Sequence, residues 1–331
     1  MTALHLESKL RRNPLRAPIG LLPVLLLLLI AGTAAAEPRF LNPLNITNVA
    51  RNAAYLTLVA TGQMLVLVTG GFDLAIGSIV ALSSVVSALV MASLHVSSPD
   101  APALAIAGGV AAGLATGLAA GIFNGLCVTL LKASPFMVTL GSMSALSGLA
   151  FFLTAGTPIY GLPDAFTRDF GRAVWLGVPA PVFFAIGIAA TVWFVQNWTA
   201  AGRHWYAIGG NPKAAVVSGI AVGRNVVAVY AISGILAAVT GLLLTSRIGS
   251  GQATLGSDLM LQSIAATMVA GVSLRGGVGR IERVVLGALF LSVITNSMNL
   301  LRIDSKAQAI VMGLVVVFAV LLDQASRRKG S

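Results

Sequence analysis

Charge is what this chain has least of. Of its 331 residues only 9% are Asp, Glu, Lys or Arg, while 57% are hydrophobic. A soluble domain carries roughly 25% charged residues, so a globular chain of this size could not cover itself with polar surface. What remains is a surface facing lipid, with the backbone polar groups satisfied inside helices. Cysteine is nearly missing too. Cys127 stands alone in an apolar run, which excludes an internal disulfide and reads as a small buried hydrophobe. The motifs G-x-x-x-x-G-K-[ST], H-E-x-x-H and G-x-S-x-G are absent. No phosphate loop, zinc protease or intramembrane hydrolase is therefore expected, and no catalytic residue, bound cofactor or metal. A net charge of +11 could suggest nucleic acid, but the basic residues are scattered through short loops with few aromatics beside them. Topology accounts for them better.

A spanning helix needs about 20 largely apolar residues. Ten such stretches follow one another: Ala17–Ala36, Ala53–Gly70, Leu74–His95, Ala103–Leu131, Phe136–Ala155, Pro181–Trp198, Asn225–Ser246, Leu259–Ser273, Val284–Leu300 and Ala307–Leu322. The fold class expected is an all-α integral membrane protein. One transmembrane domain, 17–323, stands between tails 1–16 and 324–331. The first stretch has a second reading. Lys9, Arg11 and Arg12, then Leu21–Ile30, then Ala34-Ala35-Ala36 have the order of a secretory signal peptide. Its apolar run is longer than a usual signal core, and its removal would place the two terminal positive clusters on opposite sides of the membrane. A retained span is preferred.

With the N-terminus inside, seven basic residues fall in outer segments: Arg39, Arg51, Arg168, Arg172, Arg247, Arg302 and Lys306. The other fourteen of the 21 fall inside, as the positive-inside rule requires. Both termini are expected in the cytoplasm.

Two regularities stand out. Gly109, Gly113, Gly117, Gly121 and Gly125 put a glycine on every fourth position of the fourth span. That is a slowly turning face on which another backbone can approach closely. The span is also long for a core of about 30 Å, so it must tilt, kink or protrude. The second regularity is a repeat. Gly71-x-Asp73-Leu74 with Ser78-Ile79 and Ala81 follows G-x-D-L-x-x-x-S-I-x-A. Gly256-x-Asp258-Leu259 with Ser263-Ile264 and Ala266 follows it again, and Ile122-x-Asn124-x-Leu126 has a weaker echo in Ile294-x-Asn296-x-Met298. The copies open the third and eighth spans, an odd offset. They mark a candidate inverted repeat of spans 2–5 and 7–10, with a solute path at its interface. Asp73 and Asp258 read as caps on the helices they precede, or as groups that bind hydroxyls.

Away from their ends the spans hold no Asp, Glu, Lys, Arg or His. Ion-coupled transporters usually need such a residue on their path. The polar residues inside are neutral: Gln63, Asn124, Thr139, Asn296 and Asn299. They suit an uncharged polyhydroxylated solute, and equally suit hydrogen bonding between helices. The longest inner loop, 199–224, contains Gly209-Gly210-Asn211-Pro212, read as a turn and helix start. A short helix follows over Lys213–Ile220 with small residues Ala214, Ala215, Ser218 and Gly219.

These residues carry a resemblance. Ala207-Ile208-Gly209-Gly210-Asn211-Pro212, with Ala214-Ala215 and Ser218-Gly219-Ile220, is similar to the coupling loop of permease subunits in the ribose-type branch of ABC sugar importers. Gly70-Gly71-Phe72-Asp73-Leu74-Ala75-Ile76-Gly77-Ser78 resembles that family's G-G-I-D-L-S-V-G-S signature. Ala270–Gly277 and Asn296-x-x-Asn299-Leu300-Leu301 resemble its C-terminal motifs. The match runs from about Leu41 to Asp323. It implies a homodimeric permease of the bacterial inner membrane that passes a neutral monosaccharide or polyol. A periplasmic sugar-binding protein would deliver the solute, and separate cytosolic ATPase subunits, which hold the ATP and Mg, would dock on the loop. Lys213 stands where the family often has an acidic residue, and Glu282-Arg283 interrupt a stretch that is usually small or apolar. A secondary, ion-coupled transporter is the competing reading, and a membrane-embedded enzyme or scaffold a third.

Overall fold

The computed structural model describes residues 21–328. The tail 1–16, the start of the first span at Ala17 and residues 329–331 lie outside them. The described chain is a bundle of helices: α1 (Leu21–Ala36), α2 (Pro43–Val68), α3 (Ile76–Ser97), α4 (Pro102–Leu130), α5 (Pro135–Thr154) and α6 (Ala180–Trp198). Two short helices follow, α7 (Ala200–Gly210) and α8 (Pro212–Val217). The chain then continues as α9 (Val222–Ile248), α10 (Ser257–Val269), α11 (Ile281–Leu300) and α12 (Ser305–Arg328). A small antiparallel hairpin, β1 (Val174–Trp175) and β2 (Val178–Pro179), precedes α6. Six helices, α3, α4, α5, α6, α9 and α11, are long and apolar enough to cross a membrane, and Leu22–Ala36 and Ser305–Val315 are shorter apolar stretches.

Proline opens α2, α4, α5, α6 and α8 in the first turn, where its missing N–H costs nothing. At α2 the Asn42 side chain also accepts from Leu44 N at 2.9 Å. This helix therefore starts at Pro43, well before the expected Ala53. A hydropathy reading stops at polar residues such as Asn45, Asn48 and Arg51, whereas the backbone does not. At the other extreme α10 is only 13 residues long, about 20 Å at 1.5 Å per residue. The expected span to Ser273 is cut at Val269. Beyond it Gly271, Gly276 and Gly277 have φ of 77°, 89° and 72°, a left-handed backbone that glycine adopts without strain. α11 begins at Ile281 with Glu282 in its first turn, on the favourable side of the helix dipole. Residues 324–328, expected in a tail, continue α12 as helix.

The centre of the bundle is α2, buried at every residue from Ala53 to Val68. Around it α9 packs between α3 and α4. A Cβ on Gly117 would lie 2.3 Å from Gly234 O, on Gly121 2.3 Å from Tyr230 O and on Gly125 2.7 Å from Val227 Cα, all on α9. Towards the other end the ladder faces α3, where a Cβ on Gly109 would lie 2.8 Å and one on Gly113 3.1 Å from atoms of Ser87. Polar cross-links also join helices. Ser84 of α3 and Thr245 of α9 meet through their hydroxyls at 2.5 Å, and Thr33 of α1 reaches Ser297 of α11 at 2.8 Å. The outer faces of α4 and α5 are apolar and exposed, as at Phe123, Leu130, Phe136, Met137 and Phe152.

Candidate functional site

At one end of the bundle α7 and α8 form an elbow. The Thr199 side chain caps α7 by accepting from Gly202 N at 3.3 Å, and Trp205 and Ile208 bury against the core. The Tyr206 hydroxyl donates to Gly279 O. Burial pushes its pKa up, and Arg280 nearby opposes the shift. Gly209 is the tightest point. A Cβ there would sit 1.8 Å from Val68 O and 2.4 Å from Gly277 N, two atoms that hydrogen-bond each other at 2.9 Å. Gly209 and Gly210 are the last residues of α7, not part of a turn, and the break is Asn211 alone. Its extended backbone and its side chain, which accepts from Ala214 N at 3.1 Å, end one helix and start the next. α8 stops at Val217 instead of reaching Ile220, because Ile220 N returns to Ala215 O and Gly219 turns left-handed at φ 79°. Ala215 is buried, while Gly210, Asn211, Pro212, Ala214, Ser218 and Gly219 are exposed. Val216 and Val217 are 61% and 88% exposed.

Inside the bundle two helices begin where membrane helices ordinarily continue. Asp73 is 1% exposed. Its Oδ1 accepts from Ala75 N at 2.9 Å and its Oδ2 from the Ser233 hydroxyl at 3.1 Å. Tyr230 donates to Phe72 O at 3.1 Å and accepts from Phe72 N at 3.3 Å. Ser233 is about 16 Å along α9 at 1.5 Å per residue, so α3 starts well within the bundle. A carboxylate thus lies deeper than the expected span-end position, and it organises the preceding turn. The residue capping α3 is Ala75, without a side-chain bond. From the other end, Gly251 packs on Ser84 and Ala88 of α3, and Gly256 reaches the first turn of that helix. A Cβ on Gly77 would lie 2.7 Å from Gly256 O. The two copies of the repeated motif therefore meet at their helix starts. Their aspartates differ: Asp258 lies in the first turn of α10, after the cap Gly256, and is exposed.

Asp258 borders a cavity of about 310 Å³ between α2, α9, α10 and α11. Asn52, Tyr55, Ser257, Gln262, Ser292 and Thr295 supply most of its other polar groups, and Leu244, Leu255 and Leu259 its apolar wall. Apart from Asp258, these residues belong to no motif in the sequence. A signal was present in their spacing, since Asn52/Tyr55, Asp258/Gln262 and Ser292/Thr295 are pairs three or four apart, each on one helix face.

The five neutral residues expected to line a path are not brought together, and none of them lines this cavity. Asn296 exchanges hydrogen bonds with Asn45 at 2.8 and 3.0 Å, joining α11 to α2. Asn299 accepts from Gln308 at 2.8 Å. Asn124 accepts from the Ser142 hydroxyl at 2.5 Å, leaving its amide nitrogen without a partner among the described residues. Thr139 donates to Pro135 O at 2.8 Å and lies 3.2 Å from Phe72 O. Gln63 is fully buried with neither amide atom partnered among the described residues.

An apolar bundle with helix breaks meeting inside it, a polar cavity at one end and an exposed helical elbow at the other offers passage rather than covalent chemistry. The class is that of membrane permeases. The profile of the family described as branched-chain amino acid transport system / permease component matches residues 45–320, and the chain belongs to that family. It is 43% identical to the ribose import permease protein of Bacillus subtilis over 300 residues, 90% of each chain. It is 36% identical to the galactose/methyl galactoside import permease protein of Escherichia coli K12, covering 91% of this chain and 92% of that one. With the D-allose transport system permease protein of the same organism the identity is 33%, over 91% and 90% of the two chains. No solved structure gives a significant match. The protein is a multi-pass permease subunit of the bacterial inner membrane, a transport component and not itself an enzyme.

Proposed function

We propose that the chain is the translocating subunit of a binding-protein-dependent sugar importer, worked by ATP hydrolysis on a separate cytosolic subunit. The family description is broad. Relatives named for ribose, galactose and allose, each aligned over about nine-tenths of the chain, narrow the solute to a monosaccharide. One observation carries the coupling. The exposed Val216–Val217 face of α8 stands on a mount locked to the bundle at Gly209. A small apolar knob on a rigid arm fits a groove on a partner, and pushing it moves the end of α2 and the loop after α10 together. Exposed Gly210, Asn211, Pro212, Ala214, Ser218 and Gly219 complete the docking face within segment 199–224.

The same reading makes α1–α6 and α9–α12 ten spans of one domain, with α7, α8 and both termini in the cytoplasm. α2–α5 and α9–α12 form an inverted repeat, supported by the contact of Gly77 with Gly256. Two copies of the chain, the ATPase, which supplies ATP and Mg, and a periplasmic binding protein complete the assembly in the bilayer. Of the five neutral residues, Gln63 is the strongest candidate for the path, since a buried amide without partners is costly unless something visits it. The chain alone in vesicles is expected to accumulate no sugar. Adding the cognate ATPase and the loaded binding protein restores uptake that an uncoupler does not touch. Concentrative uptake by the permease alone, collapsing with the proton gradient, would refute the proposal.

A further inference from the structure

The cavity at the start of α10 lies at the end of the bundle away from α8. Leu244 in its wall is one turn from the far end of α9, whose beginning adjoins α8. Thr254, Ser257 and Asp258 at its rim are exposed. Its inner wall holds Tyr55, 2% exposed, whose hydroxyl has the Arg247 guanidinium as its neighbour and no second partner among the described residues. A phenol can donate as well as accept, so its proton is left for a ligand. The ring is fixed from outside by Arg247, whose guanidinium stands 6.0 Å from the ring centroid and donates to Asn52 Oδ1 at 2.9 Å. Asp258 and Gln262, one turn apart on α10, line the same cavity. Carboxylate, amide and phenol together accept and donate as a set of vicinal hydroxyls requires, and Leu244, Leu255 and Leu259 offer an apolar wall to ring C–H groups. At about 310 Å³ the space is at the small end of ligand pockets, suited to one sugar ring. Its lining has no cation to meet the carboxylate of an amino acid.

We propose that this cavity is the outward station of the permease, where Tyr55, Asp258 and Gln262 hydrogen-bond the hydroxyls of a neutral monosaccharide. The inference rests on the sugar-permease reading above and assigns it a first binding site. Gln63, about 12 Å along α2 at 1.5 Å per residue, is an unpartnered polar side chain further inward.

The test uses the complete transporter, permease with ATPase and binding protein, in proteoliposomes. D-ribose, D-galactose and D-allose are the probes, and L-leucine is the comparison. Tyr55→Phe and Gln262→Leu are each expected to lower uptake of the transported sugar at least tenfold, while the loaded binding protein still switches on the ATPase. Gln262→Leu should melt no lower than the parent, since its half-buried side chain borders the cavity and leucine fills the same space. Undiminished uptake in both variants overturns the station and leaves the permease reading standing, because the parent transports. A lower melting temperature in Gln262→Leu, or loss of ATPase stimulation along with uptake, also overturns it by making the residues structural or coupling ones. Uptake of leucine and of no sugar by the parent overturns the sugar reading itself.

Discussion

Gly209 and Gly210 are neighbours with opposite duties. The space of a side chain at Gly209 is already occupied by Val68 O and Gly277 N, whereas a Cβ on Gly210 meets nothing within 4 Å. Gly209→Ala must push α7 off the bundle, and overpacking of this kind costs about 1–3 kcal/mol. Its expected signature is a lower melting temperature in detergent and a reduced folded yield. Gly210→Trp is expected to melt like the parent yet to lose uptake, because the bulk falls on the proposed docking face. A buried carboxylate sets a second test. Ser233 donates to Asp73 Oδ2, and a hydrogen bond to a charged group is worth about 1.5–3 kcal/mol. Ser233→Ala should destabilise by that order in chemical denaturation, with the turn before α3 loosening first. An unchanged denaturation midpoint would mean that the Tyr230 clasp on Phe72 suffices alone.

Among the elements, the short helices α8 and α10 are the most consequential. α8 has six residues, too few to be stable alone. It persists because Asn211 caps it, Pro212 opens it and Ala215 anchors it. Its exposed valines are therefore free to serve another protein. Val217→Asp is expected to leave expression and melting unchanged and to cut uptake more than tenfold, while the purified ATPase keeps its own hydrolysis rate. Normal uptake in a well-expressed Val217→Asp protein would remove α8 from the coupling route. α10, at 13 residues, falls short of the roughly 30 Å membrane core. Its start meets the start of α3 at two glycines, with the side chains of Val80 and Met260 packed over them.

For the molecule as a whole, the core is concentrated and the rim is bare. α2 is wrapped on all sides, while α4 and α5 keep large apolar side chains outside. In a membrane that surface is satisfied by lipid or by a second copy. The mass of the permease in native mass spectrometry, after gentle extraction with the ATPase bound, is expected to correspond to two copies. A single copy per functional transporter would refute the dimer. The proposed sugar station and the proposed docking elbow lie at opposite ends, joined by α2 and α9. Movement at the elbow thereby has a short mechanical path to the helix breaks.

Much of this was legible before any coordinate. The scarcity of charge specified a membrane protein, and the ordered motifs around Asp73, Asn211–Pro212 and Ala270–Gly277 marked its family, because composition and backbone-breaking residues act locally. Polar residues misled where burial decided their use. Asn296 and Asn299 look like a solute path in one dimension, but in space they are spent on Asn45 and Gln308. Asn52, Tyr55 and Gln262 look unremarked in sequence and share a cavity with the motif residue Asp258. Likewise Gly209 could be read as a turn until its contact with Val68 was known. The amino-acid order alone determined that the chain enters lipid, which segments become helix and where those helices break. Only tertiary packing decided which polar atoms are paired and which stay free, since a hydrogen bond depends on a partner that can be two hundred residues away along the chain.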